Sequence, residues 1–274
     1  MRDVSYTIGG ETVTFQVDGE TSYGPDKFLL DRDDDLTADA PWHADGFTVS
    51  PFVGEEDRRA LRDGVTRAVA AMLAEAGVRV DAGFELPRYH ECLDADGRAH
   101  AHVVERIRKF FQLGELPIDV AKVERRVSEI MGVNVAARFP SGEPVPYFLR
   151  VIRPRSGDNN PPQRDVWLDH LRHAINLYAP LAGSNELSSL PIVPGSHLWR
   201  ESAIERTQKG AVVNGVPYTV PAVVGAKRPL HLVRPNPRED QILLFSPYLI
   251  HGGGANLNAD VTRVSLEMRF FRVR

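Results

Sequence analysis

Near residue 134 the chain changes character, and that change limits what it can fold into. Upstream, apolar residues recur at helical spacing in three stretches. Glu55 to Ala76 places Leu61, Val65, Ala68, Val69, Met72 and Leu73 on one face, opens with acids that suit a helix N-terminus and stops at Gly77. His100 to Leu113 aligns Val103, Ile107, Phe110 and Phe111, and Pro117 to Met131 aligns Val120, Val123, Val127, Ile130 and Met131. Downstream the apolar runs are short and punctuated by Pro and Gly, at 134–139, 147–153, 174–178, 192–193, 231–233, 241–245 and 263–273. Helices first and strands after exclude alternating βαβ units. They predict one α+β domain over 1–274, with a barrel or double-sheet core and helices on one face. Within it, 1–44 reads as an extension and 45–274 as the core. Val4 to Val17 alternates around Gly9-Gly10 as a hairpin does, and is expected at a sheet edge. Asp31 to Asp35 is expected to be a solvated acidic loop, because a calcium loop would need glycine where Leu36 stands and glutamate where Trp42 stands.

Composition excludes several classes of function. A net charge of -4 provides no electrostatic footprint for nucleic acid or an anionic membrane surface. Cys92 is the only cysteine, so no intramolecular disulfide can form, which suits a reducing, cytoplasmic setting. No apolar run approaches the roughly 20 residues that span a bilayer, and the first residues lack the apolar core of a signal peptide. The expected partner is a small-molecule substrate.

The candidate chemistry sits in three separated segments. Asp165 follows the stiff Pro161-Pro162 pair, and His251 precedes Gly252-Gly253-Gly254, where backbone can approach a ligand closely. Along the last strand Arg263, Ser265, Glu267 and Arg269 share one face, with Val264, Leu266, Met268 and Phe270 on the other. If the apolar face packs under the helices, the polar face meets solvent or a polar cavity, where an arginine and a serine two residues apart can grip a carboxylate. Arg150, Asn176 and Tyr178 lie on strands whose alternation also reaches such a cavity, for cosubstrate, substrate or structural hydrogen bonding. Two other histidine patterns carry less. His43-Ala44-Asp45 matches H-x-D without a partner constellation nearby, and His100-Ala101-His102 are i,i+2 on a helix, pointing about 200° apart.

Taken in order from Asn159 to Ser265, these segments resemble the phytanoyl-CoA dioxygenase-like branch of the Fe(II)/2-oxoglutarate oxygenases. The likeness runs from about Asp45 to Phe271. It implies a double-stranded β-helix (jelly-roll, cupin-like) core. It also implies Fe(II) held by Asp165 and His251, and 2-oxoglutarate anchored by Arg263 and Ser265, with Arg150 and Asn176 as further contacts. Oxidation of an unactivated C–H bond by O2, with succinate and CO2 as coproducts, would follow. Hydroxylation or desaturation is favoured over halogenation because Asp165 keeps the carboxylate ligand. Pro194-Gly195-Ser196-His197 matches the family's signature turn, in which the histidine is structural.

The departure is Gln163, which stands where the first metal-ligand histidine belongs. An amide oxygen is a harder and weaker donor than imidazole, so iron should bind less tightly. Three readings remain open: Gln163 ligates through its carbonyl, His170 or His173 substitutes, or the site no longer turns over. The last makes the protein a non-catalytic binding member; a metal-free cupin-type module ranks behind it. The loops 183–190 and 202–227 are expected to rim the pocket.

Overall fold

The computed structural model describes residues 1–33, 35–110, 116–156 and 160–273, with side chains of 108–110 excepted. Asp34, the expected helix end Phe111 to Leu113, the side chain of Phe110 and Asn159 lie outside the described residues. The three expected helices form as α1 (Glu55–Glu75), α2 (Arg98–Phe110) and α3 (Val120–Met131). In α1 the acids Glu55, Glu56 and Asp57 occupy the positive end, and Leu61, Val65, Val69, Met72 and Leu73 are buried. In α3 the Asp119 carboxylate accepts from the Ala121 N–H at 3.0 Å, and Gly132 closes the helix in the left-handed region.

These helices cover one face of a six-stranded sheet. It contains β4 (Phe47–Pro51), β5 (Val135–Ala136), β6 (Phe148–Ile152), β7 (Ala174–Ala182), β13 (Gln241–Phe245) and β14 (Arg263–Arg272). Its order is β4-β13-β7-β14-β5, with β6 also paired to β14. Val264, Leu266, Met268 and Phe270 of β14 join α1, α2 and α3 in one apolar cluster, as their alternation required. Each such buried side chain contributes about 1.5–3 kcal/mol. Across the sheet, Arg263 and Ser265 are buried as well, which rules out a half-solvated strand. β7 is buried along its whole length, so it shows no alternation and extends beyond the run read from sequence. Ser265 pairs with Pro180, and the register of β14 on β7 shifts between Val264 and Ser265, where the proline has no N–H to offer.

Opposite this sheet runs a ladder of single bridges. Gln163 pairs with His251, His251 with Ile192, and Ile192 with Val233, all antiparallel. A second layer lies beyond, with β1 (Arg2–Ile8), β2 (Glu11–Asp18), β9 (Ala211–Val213), β10 (Val216–Tyr218) and β12 (His231–Leu232) in the order β10-β9-β2-β1-β12. A third sheet holds β3 (Thr21–Tyr23), β8 (Ile204–Thr207) and β11 (Val223–Ala226).

Several expectations are corrected here. The hairpin β1–β2 is central, because β9 pairs with β2 and β12 with β1, and the buried Tyr6 hydroxyl donates to the Val223 carbonyl. The stretch 202–227, read as loop, carries four strands; at three or four residues each they are too short for alternation to show. The 134–139 run is a strand only at Val135–Ala136. Asp35 is not solvated: it is buried, accepts from the Thr37 N–H at 2.8 Å and lies 3.3 Å from His43 Nδ1. Among the described residues no helix is long and apolar enough to cross a membrane.

Alternation around Gln163 sends Arg164 to the other face, where it meets Glu201 at 2.6 Å with both side chains about 1% exposed. The Arg164 guanidinium also donates to the Ser196 carbonyl, and Trp167 Nε1 donates to Glu201 at 3.0 Å. Burial pulls Arg164 down to about 10 even with Glu201 beside it. Through its bonds to the Ser196 and Trp199 carbonyls, the Arg164 guanidinium fastens 163–165 to the Pro194–Trp199 turn. Glu201→Ala strands the buried guanidinium and should lower stability by about 3–5 kcal/mol in denaturant melts, with Glu201→Gln costing less because one acceptor oxygen remains.

Candidate active site

Backbone pairing brings the candidate residues together. Gln163 N–H donates to the His251 carbonyl at 2.8 Å and His251 N–H to the Gln163 carbonyl at 3.0 Å, a reciprocal pair that sets both side chains side by side. Asp165, two residues on, returns to the same face, its N–H bonded to the Pro247 carbonyl at 3.0 Å. Gly252 and Gly253 then pass against Pro161 and Pro162. Their φ values are +102° and +68°, and a Cβ would come within 2.6 Å of the Pro161 carbonyl oxygen at Gly252 and 2.8 Å of the Pro162 ring at Gly253. Any other residue at either position is strained by φ and by contact.

Asp165 is 1% exposed and uses both of its oxygens. Oδ1 accepts from Gln163 Nε2 at 3.0 Å and lies 3.4 Å from His251 Nε2. Oδ2 accepts from Asn176 Nδ2 at 3.0 Å and from Arg269 at 3.0 Å (Nε) and 2.7 Å (Nη2). Asn176 and Arg269 reach it together because they are register partners on β7 and β14. Burial alone would raise the Asp165 carboxyl, but the Arg269 guanidinium and then His251 bring it well below the usual carboxylate range.

His251 has a defined tautomer. Its Nδ1 lies 2.9 Å from the Leu249 carbonyl, which can only accept, so Nδ1 carries the hydrogen. Nε2 therefore aims a lone pair at a carboxylate oxygen unless a cation, a proton or a metal ion, sits between them. The Phe245 ring packs at 4.8 Å from the imidazole and fixes its plane. Gln163 Oε1 is buried without a hydrogen-bond partner, and a half-turn of the amide exchanges it with Nε2. A lone pair on His251, a carboxylate oxygen on Asp165 and an orphan amide oxygen on Gln163 fit a divalent cation bound by one imidazole and two oxygens. No three His, Cys, Asp or Glu side chains converge to hold a metal among the described residues.

Arg263, with Arg150, Asn176, Asp165 and His251, lines the same cavity. Its Nη1 donates to the Ser188 carbonyl at 3.0 Å, while its Nε and the Ser265 Oγ are buried without partners, as groups waiting for an acceptor would be. Arg150 turns to Glu267 at 3.0 Å, and Asn176 spends its amide N–H on Asp165, which makes it a support for the carboxylate. Other histidines are elsewhere. His170 and His173 are exposed and absent from the cavity wall, so neither replaces Gln163. His197 is buried, donates from Nε2 to the His43 carbonyl at 2.8 Å and is pushed down to about 4 by burial, the neutral structural role expected of it. His43 is held by Asp35 and Thr37. His100 bonds the Tyr89 hydroxyl at 3.1 Å. Sequence reasoning missed Arg269 as a partner of Asp165; its signal was the shared face with Arg263, Ser265 and Glu267.

No family model and no curated protein matches the chain. Solved structures align with most of it. AviO1 from Streptomyces viridochromogenes Tue57 is 18% identical over 89% of this chain and 96% of that one, with a TM-score of 0.46. EctD from S. alaskensis with 2-oxoglutarate and 5-hydroxyectoine is 12% identical over 93% and 84%, at 0.48. The non-heme alpha ketoglutarate dependent epimerase SnoN from nogalamycin biosynthesis is 14% identical over 84% and 79%, at 0.43. With TM-scores below 0.5, these likenesses carry none of the argument, which rests on the side chains above.

The Asp165–Arg269 pair can be tested apart from any activity. Arg269→Met leaves a buried carboxylate short of its cation and should cost about 3–5 kcal/mol at pH 7. The wild-type pair stabilises above the ordinary carboxylate range and loses that contribution only as pH falls through the depressed Asp165 value. In the variant Asp165 protonates earlier, so the gap between the two proteins should narrow in melts run at pH 4.

Proposed function

We propose that this protein is an Fe(II)/2-oxoglutarate-dependent dioxygenase that oxidises, most simply by hydroxylation, a C–H bond of a small metabolite. The observation that carries the reading is His251 Nε2, oriented by the Nδ1 hydrogen bond to the Leu249 carbonyl and set 3.4 Å from Asp165 Oδ1 beside the orphan Gln163 Oε1, in one cavity with Arg263. The main sheet with β6, β14, β7 and β13 adjacent, facing the ladder 163–251–192–233, supports reading the core as a double-stranded β-helix.

In this reading His251, Asp165 through Oδ1 and Gln163 through its amide oxygen hold the iron. Bound there, iron supplies the redox chemistry by which O2 and 2-oxoglutarate yield succinate, CO2 and an oxidised substrate. Arg269 and Asn176 occupy Asp165 Oδ2, so Oδ1 is the oxygen that would face a bound metal. Arg263 and Ser265 receive the far carboxylate of 2-oxoglutarate through charge-assisted hydrogen bonds, which fixes the direction in which its keto acid end points. Phe245 and the glycines after His251 close the remaining sides and limit water at the reacting end.

One observation favours a second reading, a metal-free binding protein on the same scaffold: Gln163 Nε2 and Arg269 already satisfy Asp165 without any ion. Anaerobic titration with Fe(II) and 2-oxoglutarate separates the two. The oxygenase reading expects the visible charge-transfer band of a chelated keto acid. It also expects Gln163→His to tighten iron binding by about tenfold or more, since imidazole is the better donor. A band in neither protein rejects the oxygenase in favour of the binder.

A further inference from the structure

Behind Arg263 lies a half-buried arginine, Arg234, that the reading above leaves unused. Arg234 follows β12, and its guanidinium donates to the Ser189 carbonyl and, at 2.9 Å, to the Ala255 carbonyl. Arg263 bonds the residue before Ser189 and lies beside the residue before Ala255. Its Nη1 donates to the Ser188 carbonyl at 3.0 Å, and a Cβ placed on Gly254 would stand 3.5 Å from the same nitrogen. The two guanidiniums thus straddle the same pair of backbone segments, 188–189 and 254–255. Among the described residues neither makes an ion pair with a carboxylate; the acceptors found for them are carbonyl oxygens. Arg263 Nε, Ser265 Oγ and Ser189 Oγ are buried there without partners. Burial and then the charge of Arg263 pull Arg234 down to about 10. A buried guanidinium and a half-buried one with idle donors around them are better compensated with an anion beside them than without one.

We propose that Arg234 is a positioning residue and the second cation of a two-arginine carboxylate seat. It braces 188–189 and Ala255 behind Arg263, and its charge makes the seat selective for a ligand that ends in a free carboxylate. The inference rests on the oxygenase reading for the identity of that ligand, a dicarboxylic 2-oxo acid. The seat itself needs no metal. Arg234 does not line the cavity, so it acts through the backbone it holds and through its field on Arg263.

The test compares 2-oxoglutarate with 2-oxopentanoate, the five-carbon 2-oxo acid lacking the second carboxylate, bound anaerobically to the Fe(II)-loaded full chain. Arg234→Met should cut the preference for 2-oxoglutarate by about tenfold by weakening that ligand while leaving 2-oxopentanoate unchanged. Arg234→Lys, which keeps the charge and reaches one carbonyl, should retain the preference to within about threefold. Equal losses for both ligands in Arg234→Met, or a Lys variant as indifferent as the Met variant, assign Arg234 a packing role and overturn the proposal. A second arm needs neither variant nor iron. Glutarate should raise the melting temperature of the metal-free wild type more than pentanoate does, and equal shifts overturn the seat. A glutarate effect without the iron-dependent band removes the oxygenase reading and leaves the seat standing.

Discussion

A charged carboxylate buried at the junction of two sheets is the constraint on which this interior depends. Asp165 cannot stay ionised there unless donors surround it, because an isolated anion in a low-dielectric interior is severely destabilised. Its surroundings come from four places: Gln163 on its own segment, Asn176 on β7, Arg269 on β14 and His251 on the facing strand. The charge therefore staples the helix-covered sheet to the short ladder opposite. Its directionality also divides the carboxylate, one oxygen locked to the sheet and the other facing His251.

The same short segment works in the opposite direction. Because side chains alternate, Gln163 and Asp165 face the cavity while Arg164 faces Glu201 on the outer side. One ion pair sets the tilt of the segment and the other sets its charge. The Pro161-Pro162 pair and the glycines after His251 let the two strands close to hydrogen-bonding distance, which a side chain at Gly252 would prevent. Along β14 the polar face runs from Arg263, beside uncompensated donors, to Arg269, beside the carboxylate.

Much of this was legible along the chain. The helical faces of α1 and α3 and the alternation of β14 follow from periodicities of 3.6 and 2, while the meeting of Asp165, His251 and Arg263 in one cavity was implied by the family resemblance. What escaped depends on contacts between strands far apart in sequence. The β8–β11 segments are too short to show a period, and the N-terminal hairpin sits in mid-sheet because β9 and β12 happen to flank it. Nothing local separates Asn176 bound to Asp165 from Asn176 bound to a ligand; only the register of β7 against β14 decides it.

The chain alone determined which residues are apolar on which face, where helices must stop, and that an amide stands at 163 where an imidazole would bind metal better. Those properties are local, set by side-chain chemistry and backbone geometry over a few neighbouring residues. Tertiary structure decided that Arg269 pairs with Asp165, that His170 and His173 stay on the surface, and that Arg234 backs Arg263. Ion pairing and burial depend on distance through space, and strand order, absent from the linear chain, sets those distances.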